Sequence, residues 1–170
     1  NRVKFNAGWY RLYAGKLREG HELLDAGREE DVFGNKCPTG QPKWGGETGA
    51  TVLLYMEGGL GDQIKSYRFA SDIQALGNKV VVACSAELAP IFSEQFVTVQ
   101  HEAAAGVYHD YYVPSMSAVL PLKYEYEDLS GDPYITKTAE TIPGRVGVRW
   151  SGNPQFEHEH HRFFPADLMF

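Results

Sequence analysis

The chain has 170 residues, room for one domain or one domain with an appendage, and its 43% hydrophobic and 22% charged content is that of a globular chain with a real core. A formal net charge of −6 argues against nonspecific nucleic-acid binding, which relies on Lys and Arg to replace counterions. Cys37 and Cys84 form no CxxC pair, so neither a zinc site nor a disulfide framework is indicated, and no run approaches the roughly 20 apolar residues of a membrane span.

No signal peptide is visible, which makes a cytoplasmic setting the default expectation. Both ends read as cut. The chain opens on Asn1, and it closes on FFPADLMF, where Pro165 and Asp167 sit as in a first helical turn. A fragment of a longer protein is expected.

Two helices come first, over about Val3 to Tyr13 and Lys16 to Ala26, broken by Gly15 and stopped by Gly27. Phe5, Trp9, Leu12, Leu17, Leu23 and Leu24 supply their apolar faces. The spacing of Ala7, Gly8, Leu12, Gly15 and Gly20 is similar to a tetratricopeptide hairpin, a unit that needs a neighbour to bury its face. An ordinary hairpin packed on the main domain is the alternative. Residues 30–50 are rich in Gly and Pro and read as a surface linker, with Trp44 as an anchor.

From residue 51 strand and helix alternate. An apolar strand over 51–56 stops at Glu57, and three glycines (Gly58, Gly59, Gly61) crowd the turn before Asp62. Leu60, Ile64, Tyr67, Ala70, Ile73 and Leu76 then recur at steps of three and four, which predicts one helix ended by Gly77 and Asn78. Strand, glycine turn and helix is how open α/β sheets build a phosphate or sugar-nucleotide site. The dinucleotide fingerprint is incomplete, because Ile64 stands where its third glycine belongs, and Cys84, Ser85 and Ala86 stand where a ribose-binding acid belongs. No Walker lysine follows the glycines.

Further strands are predicted at 79–85, 96–101 and about 108–113, with a short helix at 87–93 and a helical turn at 116–120. Residues 123–144 read as loop. A last apolar strand is expected over 145–150, closed by an SGNP turn. This alternation predicts an α/β fold with a doubly wound parallel sheet. Asp62 has two readings: a helix cap suited to the dipole, or a functional carboxylate. The run HEHH, His158 to His161 without a rigid frame, reads as solvated rather than metal-binding.

Three motifs in register carry a resemblance over essentially the whole chain. Pro42, Trp44, Gly46 and Glu47 form the first, and Glu57, Gly59, Leu60, Gly61 and Asp62 the second. Trp150, Ser151, Gly152, Asn153 and Pro154 form the third. The sequence resembles glycosyltransferases of the heptosyltransferase type (family 9), in the branch with N-terminal tetratricopeptide repeats. The resemblance implies a GT-B fold of two Rossmann-like domains. Residues 1–29 would be the repeat-like hairpin, 30–50 a linker and 51–144 the acceptor domain, and 145–170 would begin the donor domain.

It implies transfer of a sugar from a nucleotide-sugar to a glycan or protein acceptor, with no metal and no cofactor beyond the donor. As a fragment lacking most of the donor domain, the chain would be inactive. Asp62 would be the general base, Gly58, Gly59 and Gly61 the loop beside it, and Ser151, Gly152, Asn153 and Arg162 the contacts to donor phosphate. A noncatalytic scaffold is the alternative. The strand at 145–150, cut from its own sheet, is expected to pair with the edge of the first sheet or with a second copy.

Overall fold

The computed structural model describes residues 2–30, 36–136, 142–148, 152–154 and 159–161. The chain forms two compact units, Asn1–Lys137 and Thr138–Phe170. The helical hairpin, the linker and the sheet all belong to the first.

The hairpin pairs α1 (Arg2–Tyr13) with α2 (Leu17–Asp25). Gly15, at φ +74°, makes the turn that a residue with a Cβ avoids. The helices meet through glycine. A Cβ on Gly8 would lie 2.7 Å from the Gly20 carbonyl oxygen, and one on Gly20 would lie 2.6 Å from Leu12. Leu17 and Leu24 are buried beneath this contact.

The sheet contains β1 (Thr51–Tyr55), β2 (Lys79–Cys84), β3 (Val97–Gln100) and β4 (Tyr111–Pro114). All pairings are parallel and the order is β3-β2-β1-β4. This is an α/β architecture compatible with a Rossmann-like fold. The central strands are nearly continuous apolar runs because both faces are covered. Val52, Leu54, Val80, Val82 and Cys84 face one core, which includes Tyr67, Ile73 and Phe92 from the helices. Leu53, Tyr55, Val81 and Ala83 face a smaller one, covered by Ala104 with Cys37 and Val107. The cover on that second face is a 3₁₀ segment, His101–Gly106, where an α-helix is usual.

The linker is not loose. Lys43 makes a parallel bridge to Tyr112, Trp44 N–H donates to the Tyr112 carbonyl (2.8 Å), and Tyr112 N–H donates to the Pro42 carbonyl (3.1 Å). These bonds cover the outer edge of β4. Trp44 is buried, and its indole N–H donates to the Glu47 carbonyl at 2.9 Å.

Two expectations need correction. The helix predicted over 60–76 is two helices, α3 (Leu60–Ser66) and α4 (Phe69–Ala75), with a break at Tyr67–Arg68. Its buried face holds at Tyr67, Ala70 and Ile73, each at most 1% exposed, and departs from the expectation at the two ends. Leu60, Ile64 and Leu76 are 45%, 36% and 42% exposed, while Gln63, Ser66 and Phe69 point inward. The Gln63 amide explains the departure in α3. It donates to the Gly58 carbonyl (3.2 Å) and to Ser85 Oγ (2.8 Å) and accepts from Ser85 N–H (3.0 Å), joining the ends of β1 and β2. A buried amide with its bonds made outweighs a regular apolar stripe.

The second correction concerns the strand expected over 145–150. Arg145 to Val148 carry no strand pairing and are exposed, Val146 to 87%. Residues 149 and 150 lie outside the described residues. An isolated segment has no partner to satisfy its ladder, and an apolar pattern alone does not create one.

Short helices complete the first unit: α5 (Ala89–Phe92) between β2 and β3, and α6 (Val119–Leu122) after β4. Tyr67 stacks on Phe92 at 3.9 Å between ring centroids and donates its hydroxyl to the Phe92 carbonyl at 3.0 Å. Among the described residues no helix is long and apolar enough to cross a membrane.

The glycine contact between the hairpin helices is directly testable. Gly8→Ala should destabilise the protein by about 1–2 kcal/mol in urea unfolding, although alanine favours a helix by about 1 kcal/mol, because the new methyl meets a backbone oxygen. Gly20→Ala should cost less, since the Leu12 side chain can turn aside.

Candidate functional site

Stepping from β3 across to β4 reverses the direction in which the sheet grows, so the C-terminal ends of β1 and β4 flank a topological switch point, where open α/β sheets bind ligands. Chain after β1 runs Met56, Glu57, Gly58, Gly59 and into α3. Gly58 has φ +73°, and a Cβ there would lie 2.7 Å from Asp62 Oδ2. Glycine is therefore required twice over. Gly59 N–H donates to Asp62 Oδ2 at 3.1 Å. At Gly61 a side chain would meet open space.

Asp62 thus closes the turn that precedes its own helix. Its side chain is 47% exposed, and Oδ1 lies 3.9 Å from Lys65 Nζ. One carboxylate oxygen is engaged by the backbone and the other faces solvent near a cation. Gly58, Gly59, Gly61 and Asp62 lie together in this turn and the first turn of α3.

Beside them lies a buried polar network that sequence reasoning missed. Glu57 is buried, and its backbone N–H donates to Ser115 Oγ at 3.1 Å. Its carboxylate accepts both arms of the Arg28 guanidinium, Nη2 at 2.8 Å, and also Met116 N–H at 3.2 Å. Arg28 reaches Ser117 Oγ at 2.7 Å and pairs with Asp25. Ser117 donates to Asp25 Oδ1 at 2.5 Å, and Lys43 Nζ lies 3.1 Å from Asp25 Oδ2.

Two carboxylates and two cations alternate, so the charge balances where water is scarce. The Arg28 side chain is 15% exposed and that of Glu57 5%. Burial alone would raise the Asp25 carboxyl, but the Ser117 hydroxyl and Arg28 outweigh it and hold it below its ordinary value. Burial likewise opposes the charge on Arg28, but Glu57 and Asp25 raise its pKa. Glu57 was legible as a charge ending an apolar run. Nothing in the order of residues links it to Arg28, 29 positions earlier.

Neither cysteine offers a nucleophile. Burial pushes the Cys37 thiol up to about 12 and the Cys84 thiol up to about 11, far from thiolate at neutral pH.

Of the residues expected to contact donor phosphate, Ser151 and Arg162 lie outside the described residues. Gly152 and Asn153 belong to the second unit. There Gly152 N–H donates to the Glu159 carboxylate, and a Cβ on Gly152 would come within 2.5 Å of that carboxylate. A carboxylate of the chain itself holds a backbone donor of this turn. His160 and His161 lie ring to ring, 3.9 Å apart, and no group of three or more potential metal ligands exists among the described residues.

The chain matches no protein-family model, no curated protein and no solved structure.

Removing one member of the buried network should be costly. Glu57→Ala leaves Arg28 without its main partner, and a loss of about 3–5 kcal/mol is expected in urea unfolding. The double variant Arg28→Met/Glu57→Leu should lose much less than the two single losses added together. Asp25 sets an acid limit. Its folded pKa is depressed, so its contribution is full above the ordinary carboxyl value of about 4 and is lost as pH falls through the lower folded one. Asp25→Asn should flatten the acid limb of a stability-against-pH curve.

Proposed function

We propose that this chain is the acceptor-binding part of an inverting glycosyltransferase of the GT-B, heptosyltransferase-like type, with its sheet a Rossmann-like half and its hairpin tetratricopeptide-like. The observation that carries the reading is the carboxylate of Asp62, fixed by the Gly58–Gly59 turn at the C-terminal end of β1 with one oxygen left accessible. The Gly59 bond does not compete with a catalytic role. It orients the carboxylate, and Oδ1 stays available to a hydroxyl.

In the proposed reaction an acceptor hydroxyl attacks the anomeric carbon of a nucleotide-sugar. A carbon–oxygen bond forms, the bond to the nucleotide phosphate breaks with inversion, and Asp62 takes the hydroxyl proton. The donor is a substrate held by a second domain that begins near residue 145, with Ser151, Gly152, Asn153 and Arg162 toward its phosphates. The close Gly8–Gly20 contact supports the tetratricopeptide-like reading of the hairpin. Two unpaired cysteines suit a cytoplasmic setting.

One observation favours a second reading, a noncatalytic scaffold. Arg28 and Glu57 fill the space between the ends of β1 and β4 with a satisfied ion pair, which is the arrangement of a structural joint.

Substitutions at Asp62 separate the two. Asn retains an oxygen for the Gly59 N–H but cannot take a proton. In a protein carrying both domains, Asp62→Asn should lower sugar transfer from a panel of nucleotide-sugars by about 10²–10⁴-fold, with stability unchanged. Asp62→Ala should in addition cost about 1 kcal/mol of stability through the lost cap. Stabilisation by no nucleotide-sugar, or full turnover by Asp62→Asn, would leave the scaffold reading standing.

A further inference from the structure

A cavity of about 190 Å³ opens in the first unit between the start of α4, the loop from α5 to β3 and the segment after α6. No residue of the Gly58–Asp62 turn lines it. Pockets for drug-sized molecules run to about 300–1,000 Å³, so this one takes a smaller body, of about one ring.

Its wall carries hydrogen-bonding groups that are held in place but not used up. Arg68, in the break between α3 and α4, donates one Nη to the Ser130 carbonyl, and its guanidinium lies 5.1 Å from the centre of the Tyr134 ring. Its Nε and other Nη have no hydrogen-bond partner among the described residues. Thr136 N–H donates to Gln95 Oε1 at 3.3 Å, and the Tyr67 hydroxyl reaches the same oxygen at 3.3 Å. That oxygen is therefore committed, and the two donors of Gln95 Nε2 are left over. None of these nitrogens is sealed from solvent. Both side chains are ordered before a ligand arrives, so binding costs little further side-chain entropy.

Acceptors face the same space. Asp72, on α4, is half-buried, and burial raises its carboxyl above the ordinary value although Tyr124 and Arg68 pull the other way. Asp128 and Asp132 are exposed on the wall. Each has Oδ2 engaged within its own loop, by Glu125 N–H at 2.8 Å and the Ser130 hydroxyl at 2.6 Å, which leaves Oδ1. Leu129 and Pro133 add an apolar strip.

This lining selects among ligands. Three carboxylates stand against the single Arg68 cation, which opposes a phosphate or a carboxylate. An organic cation would have to sit beside the guanidinium. No group of three or more potential metal ligands exists among the described residues. A hydroxyl both donates and accepts, and a body that carries several on one ring answers donors and acceptors together. We infer that this cavity binds a neutral monosaccharide, with neighbouring ring hydroxyls donating to Asp72 and accepting from Arg68 and Gln95, and its C–H face on Leu129 and Pro133. The site holds a sugar without transferring it and does not depend on the transferase reading.

Titrations followed by ¹H–¹⁵N correlation spectra of the 170-residue chain test this, with glucose, galactose, mannose and N-acetylglucosamine as probes. At least one should saturate with a Kd of about 1–10 mM, moving the Gln95 side-chain NH₂ and the backbone amides of Arg68, Asp72, Ser130 and Asp132. The 6-phosphate of that sugar should bind at least tenfold more weakly. Asp72→Asn keeps the size but turns one acceptor into a donor, and it should weaken the sugar about tenfold. Arg68→Gln should do the same from the donor side, with the spectrum away from the cavity unchanged in both variants. Saturation by none of the four at about 50 mM, several-fold above the expected Kd, would overturn the inference. So would an affinity indifferent to both substitutions, or spermidine moving the same amides more strongly than any sugar. Shifts confined to the Gly58–Asp62 turn would also overturn it, since they would put the sugar at the proposed acceptor site instead.

Discussion

The Arg28 guanidinium is the joint on which the first unit depends. It lies in the 3₁₀ turn that follows the hairpin, Ala26–Glu30, and it bonds residues after β1 and after β4. A cation this deep is tolerable only with its donors placed on matched acceptors, and a planar fork facing a carboxylate provides that geometry. Glu57 and Asp25 together with Ser117 supply it. Lys43 extends the same network to the linker, which in turn covers the edge of β4. Hairpin, linker and sheet thereby share one electrostatic centre, and the apolar contacts around it act with that centre in place.

This joint also governs the site. Glu57 is the residue at which β1 gives way to the glycine turn, and its backbone and carboxylate are both tied to the segment after β4. With that residue fixed, Gly58 can take its left-handed conformation and Asp62 can reach the Gly59 N–H. Gln63 secures the other side by joining the turn to the end of β2. The turn is held from two directions and engages one oxygen of the Asp62 carboxylate, which suits the proposed general base and a helix cap alike. Geometry at Asp62 serves both, and proton transfer is what distinguishes them.

The seat of the hairpin follows from the same packing. Glycines at positions 8 and 20 let the hairpin helices approach closely, and Leu12 fills the space against Gly20. The hairpin then rests on α6 and the segment after β4 through its second helix.

Much of this was legible along the chain. The runs from Val52 to Met56 and from Val80 to Cys84 read as strands, the second as one covered on both faces, and Gly58 and Gly77 marked turns that need positive φ. Such features are local: they depend on the side chains of neighbouring residues and the backbone angles those allow. Tyr67, Ala70 and Ile73 turned inward as their spacing implied, but which face of α3 did so was decided elsewhere, by Ser85 at the end of β2 bonding the Gln63 amide. The exposure of Val146 has the same cause, because an apolar alternation becomes a strand only when another strand offers its backbone. Sequence alone determined the alternating α/β order, the four strands of the sheet and the glycine turn. Only the tertiary structure decided that Arg28 meets Glu57 and that Gln63 reaches Ser85, because burial and electrostatic pairing depend on distance in space, and residues far apart in the chain carry no local trace of it.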